Sequence, residues 1–125
     1  MSASPHAISW FEIPVTDFAR ARAFYEAVLG RPVETMTMGV YTMGFLSSSP
    51  DAVGGAIVQG DGTAPSQSGT LVYLNGGDDL AVMLARVVPA GGTVAVPKSD
   101  IGSGFGFFAH FIDTEGNRVG LHSMG

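Results

Sequence analysis

One order of local patterns occurs twice along this chain: a strand, a helix and three strands between residues 7 and 59, then the same series between residues 70 and 122. In the first series, residues 7–15 (AISWFEIPV) alternate, with Phe11, Ile13 and Val15 on one side and Ile8, Trp10, Glu12 and Pro14 on the other. That period of two is the signature of a strand, whose successive side chains point to opposite faces. Thr16 and Asp17 then offer oxygens for a helix start, and Ala21, Phe24, Tyr25, Val28 and Leu29 recur at helical spacing before Gly30 and Pro32. The spacing predicts a helix that stops at the glycine. Strand-like segments follow at 33–38, 40–46 and 53–59, parted by Gly39 and by the turn at 47–51.

After a polar loop at 60–68, residues 70–74 again read as a strand. Asp78 and Asp79 can cap a second helix, in which Leu80, Met83, Leu84, Val87 and Val88 repeat the helical spacing until Pro89 and Gly91-Gly92 close it. Strands at 93–96, 105–112 and 118–122 complete the series, the last two joined by a tight DTEGN turn at 113–117. The halves share little residue identity, so the repeat, with a period of ~60 residues, rests on the order of elements. An α+β fold of two βαβββ modules is expected. A helix covers one face of each sheet and leaves the other open, so pairing the modules creates a concave surface suited to a ligand.

Composition narrows the partners. The 125 residues, 46% hydrophobic and 14% charged, suffice for one core, so residues 1–125 are expected to form a single domain with modules at about 6–59 and 69–123. Six Lys and Arg against eleven Asp and Glu give a formal charge of −5, and the basic residues are scattered. Phosphate binding needs a basic stripe, so no nucleic-acid partner is expected. Cysteine is absent, which removes disulfides, thiolate nucleophiles and cysteine metal sites together. Residues 1–7 carry neither a basic start nor an apolar run, and no stretch reaches the roughly 18 apolar residues of a membrane span. No membrane partner and a cytoplasmic location are therefore expected.

Two segments carry a resemblance. PVTDFARARAFYEAVLGRPV at 14–33 resembles the opening V-x-D…FY-x-x-V-L-G of the glyoxalase/bleomycin-resistance/extradiol-dioxygenase (vicinal oxygen chelate) superfamily. DTEGNRVGL at 113–121 is similar to its D-P-D/E-G-N-x-I-E-L hairpin, with Thr114 where proline is usual, and a Gly-Gly-rich fourth strand lies between the two. The resemblance spans nearly the whole chain. It implies two βαβββ modules forming an incomplete, strongly curved barrel, commonly dimeric, and a homodimer is expected here. It also implies Fe, Mn, Zn or Ni held by side chains from equivalent strands of the two modules.

The metal does not carry over residue by residue. Trp10 stands where the first ligand, often histidine, is placed; the fourth strand offers only Gln59 as a polar side chain; Thr70 is the second module's counterpart of the first position; and Gly120 replaces the final glutamate. A metal site needs about three or four converging His, Glu or Asp side chains. Glu12, His110 and His122 can supply displaced ligands, but they lie off these positions. No metal and no cofactor are expected.

The expected function is therefore metal-independent binding of a small apolar or aromatic molecule in the cavity between the modules. Trp10 either stacks on the ligand or fills the core. Glu12 binds a cation, acts as a base or forms an ion pair with Arg118. His110 and His122 transfer protons or serve as hydrogen-bonded or solvated structural residues. Thr70 lines the same cavity, and Gly120 leaves room where a carboxylate would otherwise sit. The alternative is a glyoxalase-like lyase or isomerase, or a dioxygenase, working by acid–base catalysis with Glu12 and His110 or through a displaced metal site. The glycine-rich segment 97–107 (PKSDIGSGFGF) reads as a hairpin connection or a lid. Its GSGFG lacks both the GxGxxG spacing and the following helix of a phosphate-binding loop.

Overall fold

The computed structural model describes residues 6–47, 49 and 51–125. Its elements run β1 (Trp10–Pro14), α1 (Phe18–Leu29), β2 (Thr35–Met38), β3 (Tyr41–Phe45), β4 (Gly54–Gln59), β5 (Tyr73–Asn75), α2 (Ala81–Val87), β6 (Thr93–Asp100), β7 (Phe107–Ile112) and β8 (Arg118–Ser123). The strands form two sheets of the same topology, β1-β4-β3-β2 and β5-β8-β7-β6. In each, the first strand lies parallel to the last and the remaining pairs are antiparallel. The duplicated βαβββ order is thus present, as two open sheets rather than a closed barrel.

Helix α1 forms where its stripe and caps coincide. The Asp17 side chain accepts from the Arg20 N–H at 3.1 Å, satisfying a first-turn donor. Gly30 takes a left-handed φ of 75° and returns its N–H to Glu26, a conformation that a Cβ would strain. Ala21, Phe24, Tyr25 and Val28 turn inward, where they meet Ile13, Ile57, Leu74, Phe111, Val119 and Leu121 from the two sheets in one continuous core. Phe24, Tyr25 and Phe111 lie ring against ring, each burial being worth on the order of 2–3 kcal/mol. Helix α2 closes against α1, its Arg86 donating to the Val28 carbonyl at 3.2 Å.

Three boundaries depart from the pattern in the sequence. Helix α2 begins at Ala81, and its N-cap Leu80 supplies no side-chain cap; the Leu80 N–H goes to Ser123 Oγ and Asp79 accepts from the Ala81 N–H. Strand β5 is only three residues long, because pairing with β8 is confined to Tyr73–Asn75. Strand β6 runs on through Pro97 to Asp100, with register shifts between Val94 and Ser99. It is an edge strand, where a proline's missing N–H and a bulge are tolerated.

The DTEGN turn fastens the halves together. Asp113 is buried; its Oδ2 accepts from the Tyr25 hydroxyl at 2.7 Å and its Oδ1 from the N–H groups of Glu115 and Asn117. Asn117 donates to the Pro14 carbonyl and accepts from the Ser66 N–H. Glu115 reaches the start of α1, accepting from the Thr16 and Asp17 N–H groups and from Arg20 Nε at 2.6 Å. No helix among the described residues is long and apolar enough to cross a membrane.

Candidate ligand-binding site

The faces turned away from the helices are fixed by strand register. On the first sheet, Trp10 and Glu12 of β1 share a face with Ala56, Val58, Met43 and Phe45, and with Met36 and Met38 at the edge. On the second, Tyr73 and Asn75 of β5 share a face with Gly120 and His122 of β8 and with Phe108 and His110 of β7. The first face is apolar apart from Glu12, whereas the second mixes aromatic rings with the polar tips of Tyr73, Asn75, His110 and His122.

Two clefts open along them. The larger, of about 1010 Å³, is lined by Tyr73, Asn75, Asp78, Ile101, Phe108, His122 and Met124. The smaller, of about 780 Å³, runs from Trp10, Glu12 and Arg31 across to Thr70, Tyr73 and Asn75. Tyr73 and Asn75 line both.

Trp10 is 42% exposed, so it is not core filling; its ring meets Phe45 edge-on and its indole N–H donates to Glu12 Oε2 at 3.2 Å. No ion pair joins Glu12 to Arg118 among the described residues, since Arg118 turns to His110 Nδ1 at 3.3 Å. The other ring nitrogen of His110 lies 2.7 Å from the Tyr73 hydroxyl. Burial and then the Arg118 charge lower the His110 pKa, which favours the neutral ring. His122 Nε2 donates to the Phe105 carbonyl, 2.8 Å away. That bond ties the 101–106 turn, itself closed by Ile101 N–H to Gly106 O, onto the end of β8. Gly120 does not leave an empty space: the Tyr73 ring covers it, and a Cβ there would run into the ring.

The structure therefore brings Trp10, Glu12 and Thr70 into one cleft and places His122 in the other, with His110 behind Tyr73. No hydrogen bond links Glu12 to either histidine. Tyr73 and Asn75 were not singled out in the sequence. Their signal was the alternation of Tyr73, Leu74 and Asn75, which puts two polar tips on the face opposite a buried leucine.

The positions that the resemblance assigns to metal ligands do not fit a metal. Trp10 offers an indole, Gly120 no side chain, and Gln59 faces the helix, accepting from the Phe18 N–H at 2.7 Å. No group of three His, Asp or Glu side chains able to hold a metal occurs among the described residues.

Two βαβββ units with open, ligand-sized faces define a class of protein, and comparison gives it a family. The model of the Glyoxalase/Bleomycin resistance protein/Dioxygenase superfamily matches residues 7–121, and the chain belongs to that superfamily. It is 29% identical over 119 residues to the protein named "Putative glyoxylase CFP32" in Mycobacterium bovis, covering 90% of this chain and 44% of that one. The chain thus spans less than half the length of that relative. In fold it is similar to a glyoxalase I mutant of Zea mays, with a TM-score of 0.71 and 18% identity over 99% of this chain and 49% of the maize chain. It is also similar to the fosfomycin resistance protein FosX of Listeria monocytogenes, with a TM-score of 0.68 and 15% identity over 96% and 94% of the two chains.

Proposed function

We propose that this chain binds a small apolar or aromatic molecule without a resident metal, in the clefts that share Tyr73 and Asn75. The observation that carries the reading is the fate of the superfamily's metal positions. They hold an exposed indole, a glycine roofed by Tyr73, a threonine, and a glutamine spent on the α1 backbone. The residues that line the clefts are suited to holding a flat or greasy body: Trp10 in one, Tyr73 and Phe108 in the other. Acid–base turnover by Glu12 with His110 draws less support, because Glu12 holds the Trp10 indole and both His110 nitrogens are engaged.

Trp10 is the sole tryptophan, so its emission reports on the smaller cleft. Protein purified without a chelator is expected to show substoichiometric metal by elemental analysis, and saturable quenching of Trp10 by aromatic ketones is expected to survive chelation. Stoichiometric metal, with binding lost on chelation, would overturn the reading.

We also place the molecule in the cytoplasm, in keeping with its lack of cysteine, and as a homodimer. Met36 and Met38 are 47% and 56% exposed beside Tyr41 on the first open face, an apolar strip that a second copy would cover. Sedimentation velocity should report a dimer, and Met38→Glu should shift it to monomer. A wild-type monomer at all accessible concentrations would remove the dimer from the proposal.

A further inference from the structure

Across β5, β8 and β7, the side chains of Arg118, His110 and Tyr73 form a hydrogen-bonded row whose direction can be deduced. A guanidinium can only donate, so Arg118 Nη1, at 3.3 Å, makes His110 Nδ1 an acceptor. A neutral imidazole with an unprotonated Nδ1 carries its proton on Nε2, and Nε2 lies 2.7 Å from the Tyr73 hydroxyl. The imidazole therefore donates to the phenol oxygen, and the phenol's own proton is left for another acceptor.

That donor is held in place from three sides. The ring sits on Gly120, where a Cβ would collide with it. Its edge meets the His110 ring at a centroid distance of 5.5 Å. Its oxygen is fixed by Nε2. Yet Tyr73 is 46% exposed and lines both clefts. Two residues along the strand, Asn75 accepts from the Gly77 N–H through Oδ1 at 2.9 Å, which turns its amide Nδ2 into a second donor. Asp78 lines the larger cleft with no Lys or Arg beside it and disfavours an anionic ligand there, while in the smaller cleft Glu12 is offset by Arg31.

We propose that Tyr73, oriented by Arg118 through His110, is the ligand-anchoring donor, and that the ligand class is a neutral apolar or aromatic molecule bearing a carbonyl-type oxygen. This rests on the small-molecule reading above and specifies which chemistry the site selects. His110 and Arg118 act as positioning residues; Tyr73 alone of the three touches the ligand.

The test pairs acetophenone with ethylbenzene, which share a shape and differ in the carbonyl oxygen, titrated into the full chain and followed by amide NMR shifts. Tyr73→Phe keeps the ring on Gly120 and removes only the hydroxyl. It is expected to weaken acetophenone by about five- to tenfold and to leave ethylbenzene within about twofold, the size of one net hydrogen bond. Arg118→Met should weaken acetophenone selectively as well, and long-range 15N spectra of the wild type should show the Nε2–H tautomer of His110. Equal effects of Tyr73→Phe on both probes, or an Nδ1–H tautomer, would overturn the inference and leave small-molecule binding standing. Folded wild type that binds neither probe would overturn both.

Discussion

Replacing Asp113 by alanine is expected to destabilise this chain by about 3–5 kcal/mol, the usual cost of removing one partner from a buried charged network. The carboxylate is the acceptor for four donors: the Tyr25 hydroxyl, the Asn117 amide and two backbone N–H groups. Tyr25 is wholly buried, so its phenol would be left without an acceptor in the core. Burial and the adjoining Asp113 already push the Tyr25 pKa well up, which keeps the phenol a donor. Since a domain of this size commands only about 5–15 kcal/mol in all, the melting temperature should fall by roughly 10–20 °C. Tyr25→Phe removes one of the four donors and should cost less, about 1–2 kcal/mol. Thermal melts of both single variants and the double variant would give the coupling. A melting temperature for Asp113→Ala close to that of the wild type would show that the turn does not hold the halves together.

The second large effect belongs to Glu115. Burial alone would raise its pKa, but hydrogen bonds from Arg20, from the Asp17 and Thr16 N–H groups and from Thr114 outweigh burial and bring it down to about 2. Its side chain is 0% exposed. The folded pKa lies below the unfolded one, so the unfolded chain takes up the proton first as acid is added. The ionised group's contribution is therefore complete above the unfolded value of 4.5 and is lost as pH falls from there towards 2. Its size is about 2–3 kcal/mol, reduced somewhat because Arg20 is half exposed and solvent screens its share. Glu115→Gln should lower stability by that amount at pH 7 and flatten the acid limb of the stability profile between those two pH values. Denaturant melts at stepped pH would measure it, and an unchanged acid limb in the variant would assign the acid sensitivity elsewhere.

Both effects concern residues that the sequence marks only as a familiar turn. The turn itself was legible, because DTEGN between two apolar strands has the residues a tight connection requires. Its partners were not, because Tyr25, Pro14 and Thr16 lie about a hundred residues away or nearly so. Helix α1 was legible to within a residue or two, because stripe, cap and stop coincide; at α2 the expected Asp79 does accept from the Ala81 N–H, but the Leu80 N–H is met by the distant Ser123, which leaves no local mark. At the candidate site, alternation placed Trp10 and Glu12 together, and Arg118, Gly120 and His122 together, as the register bears out. Tyr73 escaped because its role arises sideways across three strands, through Gly120 beneath it and His110 beyond, and cross-strand pairing leaves no local mark.

The carboxylate that completes the entrance to α1 belongs to a residue 98 positions further along the chain than Asp17. During synthesis, α1 and the strands around it emerge early, while the groups that satisfy Thr16, Asp17 and Tyr25 are added only after six further strands have been made. The half that is made first is finished last, and a growing chain carries an incomplete first module until its final hairpin arrives.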